Sequence, residues 1–129
     1  MKLLLDTHVL LWAVLEPRKL SPQQREALED SGNTLLVSAA SAWEIATKWR
    51  LGKLSQAGSV VHNYRQVING LAATEVPISS DIARQAGLMQ VELRDPFDRL
   101  LAAQAMADDS VLVSSDPAFR LFADLALLN

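Results

Sequence analysis

Four acids carry the chemistry open to this sequence: Asp6, Glu44, Asp98 and Asp116. Each stands where the hydrophobic pattern changes. Asp6 closes the apolar run Leu3-Leu4-Leu5, and Asp116 follows Val111-Leu112-Val113 and two serines. Glu44 lies a few residues beyond Thr34-Leu35-Leu36-Val37-Ser38, and Asp98 ends the segment Asp95-Pro96-Phe97-Asp98. Carboxylates brought into one pocket repel one another unless some protonate or hard cations neutralise them. The chain has no cysteine, so an ion held there has oxygen ligands, the set that suits Mg2+ or Mn2+. One or two such ions can activate a water and stabilise the leaving oxygen of a phosphodiester.

Every one of the four also has a plainer reading. Ser41-Ala42-Trp43-Glu44 has the spacing of a capping box, and Glu44 stands four residues before Lys48, a helix-stabilising pair. Asp98 at the third position of a helix favours the helix dipole. Asp116 before Pro117 and Asp6 before an apolar helix are good N-caps. A cap, however, needs only one oxygen, and serine, threonine or asparagine serves as well.

What would bring the acids together is the order of elements. Leu3 to Leu5 reads as a strand buried on both faces, and Val9 to Leu15 as helix. Ser21-Pro22 opens a short polar helix through Glu29 that stops at Asp30-Ser31-Gly32-Asn33. Thr34 to Ser38 is a second strand, followed by a helix from Ser41 to about Arg50 that Gly52 ends. Val60, Val61, Tyr64, Val67, Ile68 and Leu71 recur at three and four residues, the pattern of one amphipathic helix. Thr74 to Ile78 reads as a third strand, Ser79 or Ser80 as the cap of a helix to about Met89, and Asp95-Pro96 as the start of another. Val111 to Val113 is a fourth strand, Asp116-Pro117 opens a last helix through Phe122, and Ala126 to Leu128 makes a short fifth strand. Strands alternating with helices predict one α/β/α domain over residues 1–129, three layers around a central parallel sheet of four to five strands. Ligands of such sheets bind beyond the carboxyl ends of the strands, where Asp6, Glu44 and Asp116 fall. Gln90 to Arg94 is too weak a strand to place Asp98 there.

Composition narrows the function. The formal net charge is −3, with 12 Lys and Arg against 15 Asp and Glu, which disfavours gripping nucleic acid by backbone electrostatics alone. It leaves open a nuclease that meets phosphate through bound cations. No apolar run reaches the length of a membrane span, and Asp6 and His8 interrupt the opening before it could serve as a signal peptide. The expectation is a cytoplasmic protein.

Taken together, Leu-Leu-Leu-Asp6-Thr7-His8, Ser38-Ala-Ala-Ser41-Ala-Trp43-Glu44-Ile-Ala-Thr-Lys48 with Leu51-Gly52-Lys53-Leu54, Asp95-Pro96-Phe97-Asp98-Arg99, and Leu112-Val113-Ser114-Ser115-Asp116 resemble a PIN-domain protein, and within it the VapC-type toxins of bacterial toxin–antitoxin pairs. The resemblance runs over essentially the whole chain in the family's order. It implies a metal-dependent endoribonuclease with Asp6, Glu44, Asp98 and Asp116 as catalytic residues and ligands of one or two Mg2+ or Mn2+ ions. It further implies an RNA substrate, a homodimer and a small antitoxin that covers the site. Arg94 stands where relatives often have histidine, and Ser114 where they often have threonine. Ser114 and Thr7 are expected either to hold a metal-bound water or neighbouring carboxylate or simply to bond backbone. Asp95 reads as a cap before a ligand, and Arg99 as a phosphate contact or a salt-bridging side chain. His8 and His62 read weakly as ligands, and Trp12, Trp43 and Trp49 as core or dimer contacts rather than base-stacking platforms. Two other readings stay open. One is a non-catalytic PIN-like binding module. The other is a Mg2+-dependent phosphoacceptor signalling domain, which the lone acid after the first strand disfavours.

Overall fold

The computed structural model describes residues 1–129. Its centre is a five-stranded, all-parallel sheet formed by β1 (Lys2–Leu5), β2 (Thr34–Ser38), β3 (Thr74–Val76), β4 (Val111–Val113) and β5 (Leu127–Leu128), in the order β3-β2-β1-β4-β5. Seven helices connect them: α1 (Thr7–Leu15), α2 (Pro22–Glu29), α3 (Ala39–Arg50), α4 (Gly58–His62), α5 (Tyr64–Gly70), α6 (Ser80–Leu88) and α7 (Pro96–Ala107). The expected α/β/α class and parallel sheet are therefore present.

The leucine run at the N-terminus builds two cores because side chains alternate across a strand. Leu3 and Leu5 point with Leu35, Val37 and Val113 into one layer, against Val9, Leu10, Ile45, Val60 and Ile68. Leu4, paired in register with Leu36 and Leu112, points into the other, against Leu101, Ala105, Phe119 and Phe122. All three leucines of β1 are fully buried, each contributing about 2 kcal/mol of apolar transfer. This double burial makes β1 the middle strand. The chain grows from β1 to β2 and β3 on one side, then crosses to β4 and β5 on the other. The carboxyl ends of β1 and β4 thus flank the point where strand order reverses, where open sheets form their crevice.

Three local expectations are corrected. The helix after β2 starts at Ala39, with Ser38 as N-cap accepting the Ala40 N–H. Ser41 and Glu44 lie inside this helix and are buried, so they form no capping box. The amphipathic segment 60–71 is two helices, α4 and α5. The break falls at Asn63, which leaves helical dihedrals at φ −124° and ψ 34° and whose side-chain amide shares the Ser59 carbonyl with its own N–H, each at 3.1 Å. The last predicted helix is a single stretch of 3-10 helix, Pro117–Leu121. Elsewhere local chemistry behaves as its residues suggest. Ser21 and Gln24 form the reciprocal capping box of α2. Helix α3 closes with Gly52 at φ +78°, as the Gly52 and Lys53 N–H groups return to the Trp49 and Lys48 carbonyls.

Candidate active site

Asp6 directly follows β1, and its N–H extends the ladder to the Val113 carbonyl at 3.0 Å. It occupies the N-cap position of α1, yet its side chain makes no capping hydrogen bond. Instead, Asp6 Oδ2 accepts from Ser114 Oγ at 2.7 Å, and Ser114 Oγ in turn accepts the Asp116 N–H at 3.0 Å. One serine hydroxyl therefore joins the ends of β1 and β4 and aims the first acid. Thr7 Oγ1 lies 3.0 Å from Ser41 Oγ, a buried pair that ties the first turn of α1 to α3.

Glu44 comes from the second turn of α3 and is 2 % exposed. Its Oε2 accepts from Lys48 Nζ one turn on, while its Oε1 is buried with no partner. An orphaned, buried carboxylate oxygen costs free energy unless something positive or a donor meets it. Burial disfavours the Lys48 ammonium, but its hydrogen bond to Glu44 and the charges of Glu44, Asp95 and Asp98 outweigh this and raise its pKa.

Asp98 reaches the same edge by a route invisible in the pattern of strands. Asp95 caps α7 through Oδ1, which accepts the N–H groups of Phe97 and Asp98 at 2.9 and 3.2 Å. The three residues that follow Pro96 then work in different directions. Phe97 packs edge-on against Trp43, ring centres 4.6 Å apart, and so locks the start of α7 to the start of α3. Arg99 donates to the carbonyls of Ala86, Met89, Val91 and Leu93 at 2.6–3.0 Å. It thereby gathers the strandless segment after α6 onto α7. Four of its five N–H donors are spent in this way, so the phosphate contact considered for Arg99 gives way to a structural role. Between Phe97 and Arg99, Asp98 is left facing the other acids. Its carboxyl is pushed up to about 7, first by burial and then by the charges of Asp95, Asp6, Glu44 and Asp116. Asp6 is raised too, by burial foremost and by Glu44, against the lowering effect of Ser114, His8 and the Thr7 backbone.

Asp116 is the outlying member. It is exposed, and its Oδ1 caps the following 3-10 turn by accepting the Ala118 N–H at 2.9 Å. With Asp6, His8, Trp12, Ser115 and Pro117 it lines a cleft of about 230 Å³. A larger concavity, about 810 Å³ around Arg18, Arg25, Glu26 and Asp30, has none of the four acids in its wall. His62 stacks edge-on against Trp49, remote in sequence from any acid of the group. No three of the acidic and histidine side chains stand close enough to form a ready-made cage for one ion. Asp6 and Asp116 line the open cleft and Asp98 feels the charges of Asp6, Glu44 and Asp116; that mutual repulsion and the buried orphan Glu44 Oε1 suit this edge chemically to a divalent cation.

Comparison with known proteins bears on the same edge. The profile of the PIN domain matches residues 3–125. The chain belongs to the PIN domain family. Among solved structures, this PIN fold superposes with TM-score 0.72 on VapBC2 from Rickettsia felis bound to a DNA fragment from their promoter, covering 100% of this chain and 98% of that one at 17% identity. FitAcB from Neisseria gonorrhoeae gives 0.59 at 21% identity, with 98% and 96% covered. VapBC-1 from nontypeable Haemophilus influenzae gives 0.60 at 16%, with 100% and 98% covered. At these identities the likeness is one of fold. A 32-residue stretch is 56% identical to Ribonuclease VapC16 of Mycobacterium tuberculosis, spanning 25% of this PIN chain and 23% of that protein.

Sequence reasoning gave Ser41 as a cap and so missed its bond to Thr7, and it missed the Trp43–Phe97 contact and the anchoring role of Arg99. The signal available for the last was its place directly after an acid in the first turn of a helix that follows a strandless segment.

Proposed function

We propose that this PIN protein is a divalent-metal-dependent endoribonuclease, the toxin of a VapC-type toxin–antitoxin pair. The observation that carries the reading is a group of carboxylates that includes the buried, partnerless Glu44 Oε1 and Asp98, whose carboxyl is pushed up to about 7 by burial and then by the charges of Asp95, Asp6, Glu44 and Asp116. Helix capping alone does not require that expense. The ribonuclease name of the short-range relative supports RNA as substrate, and neighbours named VapBC support a cognate antitoxin as partner. Homodimerisation and a cytoplasmic location complete the proposal. In line with the latter, no helix is long and apolar enough to cross a membrane.

Asp6, Glu44, Asp98 and Asp116 would hold Mg2+ or Mn2+, which when bound supplies a polarised water and neutralises charge on the phosphate. The chain's own contribution is positioning. Ser114 holds Asp6 Oδ2 in one orientation, and Lys48 holds Glu44 Oε2 while leaving Oε1 free. Arg99 and the Trp43–Phe97 contact fix where the first turn of α7 presents Asp98.

The test is incubation of the purified protein with total RNA in Mn2+ and in EDTA, with the ends mapped. Cleavage in Mn2+ alone that vanishes in Asp6→Asn is expected. RNA left intact in Mn2+, or cut equally by the variant, overturns the reading, and an intact RNA with retained antitoxin binding leaves the non-catalytic module.

A further inference from the structure

The solvent face of α3 continues outward from the acidic pocket. Ala39, Trp43, Ala46 and Arg50 recur at helical spacing and all are exposed. Trp43 is 55 % exposed, unusual for the most costly apolar side chain to leave in water. Phe97 braces the indole by its edge-to-face contact, and the flanking alanines are too small to cover the rest. The indole is thus held in place and largely bare, directly beside Glu44, while its brace is directly beside Asp98. Seven residues on, about 10 Å along the helix, Arg50 is exposed, as is Lys53 in the turn beyond. Neither has a carboxylate within ion-pair distance, unlike Lys48 on the inner flank. Two unpaired cations beside a bare aromatic stand out on a chain of net charge −3.

Single-stranded nucleic acid is bound by this combination, in which an aromatic face stacks a base and cations follow the backbone. We propose that the exposed face of α3 is the track for the RNA strand flanking the scissile phosphate, with Trp43 stacking an unpaired base and Arg50 and Lys53 meeting the backbone phosphates beyond it. Trp43 is then a substrate-binding platform rather than a core or dimer residue. The inference rests on the ribonuclease reading and deepens it, by making the substrate single-stranded near the cut and tolerant of base identity at the stacked position.

The experiment measures steady-state cleavage in Mn2+ of a short, labelled single-stranded RNA of mixed sequence. It compares wild type, Trp43→Ala, Trp43→Phe and Arg50→Ala, with sedimentation to follow oligomeric state. Trp43→Ala is expected to raise KM about tenfold, equivalent to about 1.4 kcal/mol, beyond any fall in kcat that follows from losing the Phe97 contact. Trp43→Phe, which keeps an aromatic face, recovers most of that loss. Arg50→Ala lowers the slope of log KM against log salt by about one. Unchanged KM in Trp43→Ala beside an active wild type overturns the track and leaves the ribonuclease reading standing. The same holds if KM moves only because the variant dissociates, or if only antitoxin binding is lost. RNA left uncut by the wild type removes both.

Discussion

Replacing Asp98 with asparagine in metal-free protein removes a charge that the fold disfavours, and the consequence depends on pH in a calculable way. The folded-state carboxyl titrates at about 7 instead of 3.8, because burial and the neighbouring acids penalise its ionised form. A group raised on folding adds stability below its unfolded value and loses that contribution as pH climbs through the folded one. The gap of roughly three units, at 1.36 kcal/mol each, sets a ceiling of about 4 kcal/mol. Asp98 is only partly buried, and solvent screening reduces the figure to about 2 kcal/mol. Wild type in EDTA should therefore melt near Asp98→Asn at pH 4 and fall behind it progressively to pH 8, by about 6–10 °C for a domain of this size. The assay is differential scanning calorimetry of both proteins across that range. Mn2+ at 100 times its dissociation constant returns about 2.7 kcal/mol to the wild type alone, reversing the order at pH 8. A difference in melting temperature that does not change with pH would refute the reasoning, because capping and packing losses carry no such dependence.

Other substitutions separate the parts of the site. Lys48→Met leaves Glu44 buried without its cation and should lower stability by about 3 kcal/mol at neutral pH, read by urea denaturation, with much of the loss restored by Mn2+. Arg99→Ala frees four carbonyls and should cost about 3 kcal/mol. Hydrogen exchange in that variant should rise first in residues 86–93, and uniform protection there would contradict the anchoring role. Ser114→Ala removes a donor to Asp6 and an acceptor for the Asp116 N–H, costing about 1–2 kcal/mol by the same denaturation measurement. Its Mn2+ affinity should also fall, since Asp6 loses its orientation.

Much of this architecture was legible because it rests on local pattern. Leu3 to Leu5, Leu35 to Val37 and Val111 to Val113 are short apolar runs that only a doubly covered parallel sheet can bury. Asp95-Pro96 and Ser21-Pro22 announce helix starts by side-chain chemistry that needs no tertiary partner. The pattern misled where two local solutions competed. The spacing points to Ser41 as the cap, whereas Ser38 at the end of the strand holds that place and Ser41 turns inward to Thr7. Asn63 divided an unbroken apolar periodicity where its backbone leaves helical dihedrals. The place of Asp98 was illegible for a different reason. It depends on Arg99 collecting carbonyls from a segment with no regular structure and on an aromatic contact between residues 54 apart in sequence, Trp43 and Phe97. Neither leaves a periodic trace.

The claim beneath all of this is that Asp6, Glu44, Asp98 and Asp116 act as one divalent-cation site. The most direct measurement is a Mn2+ titration followed by electron paramagnetic resonance, comparing wild type with Asp6→Asn at pH 8. Saturable binding by the wild type, weakened at least about tenfold in the variant, is the predicted result. Free Mn2+ signal throughout the wild-type titration, or equal affinity in the two proteins, would contradict it.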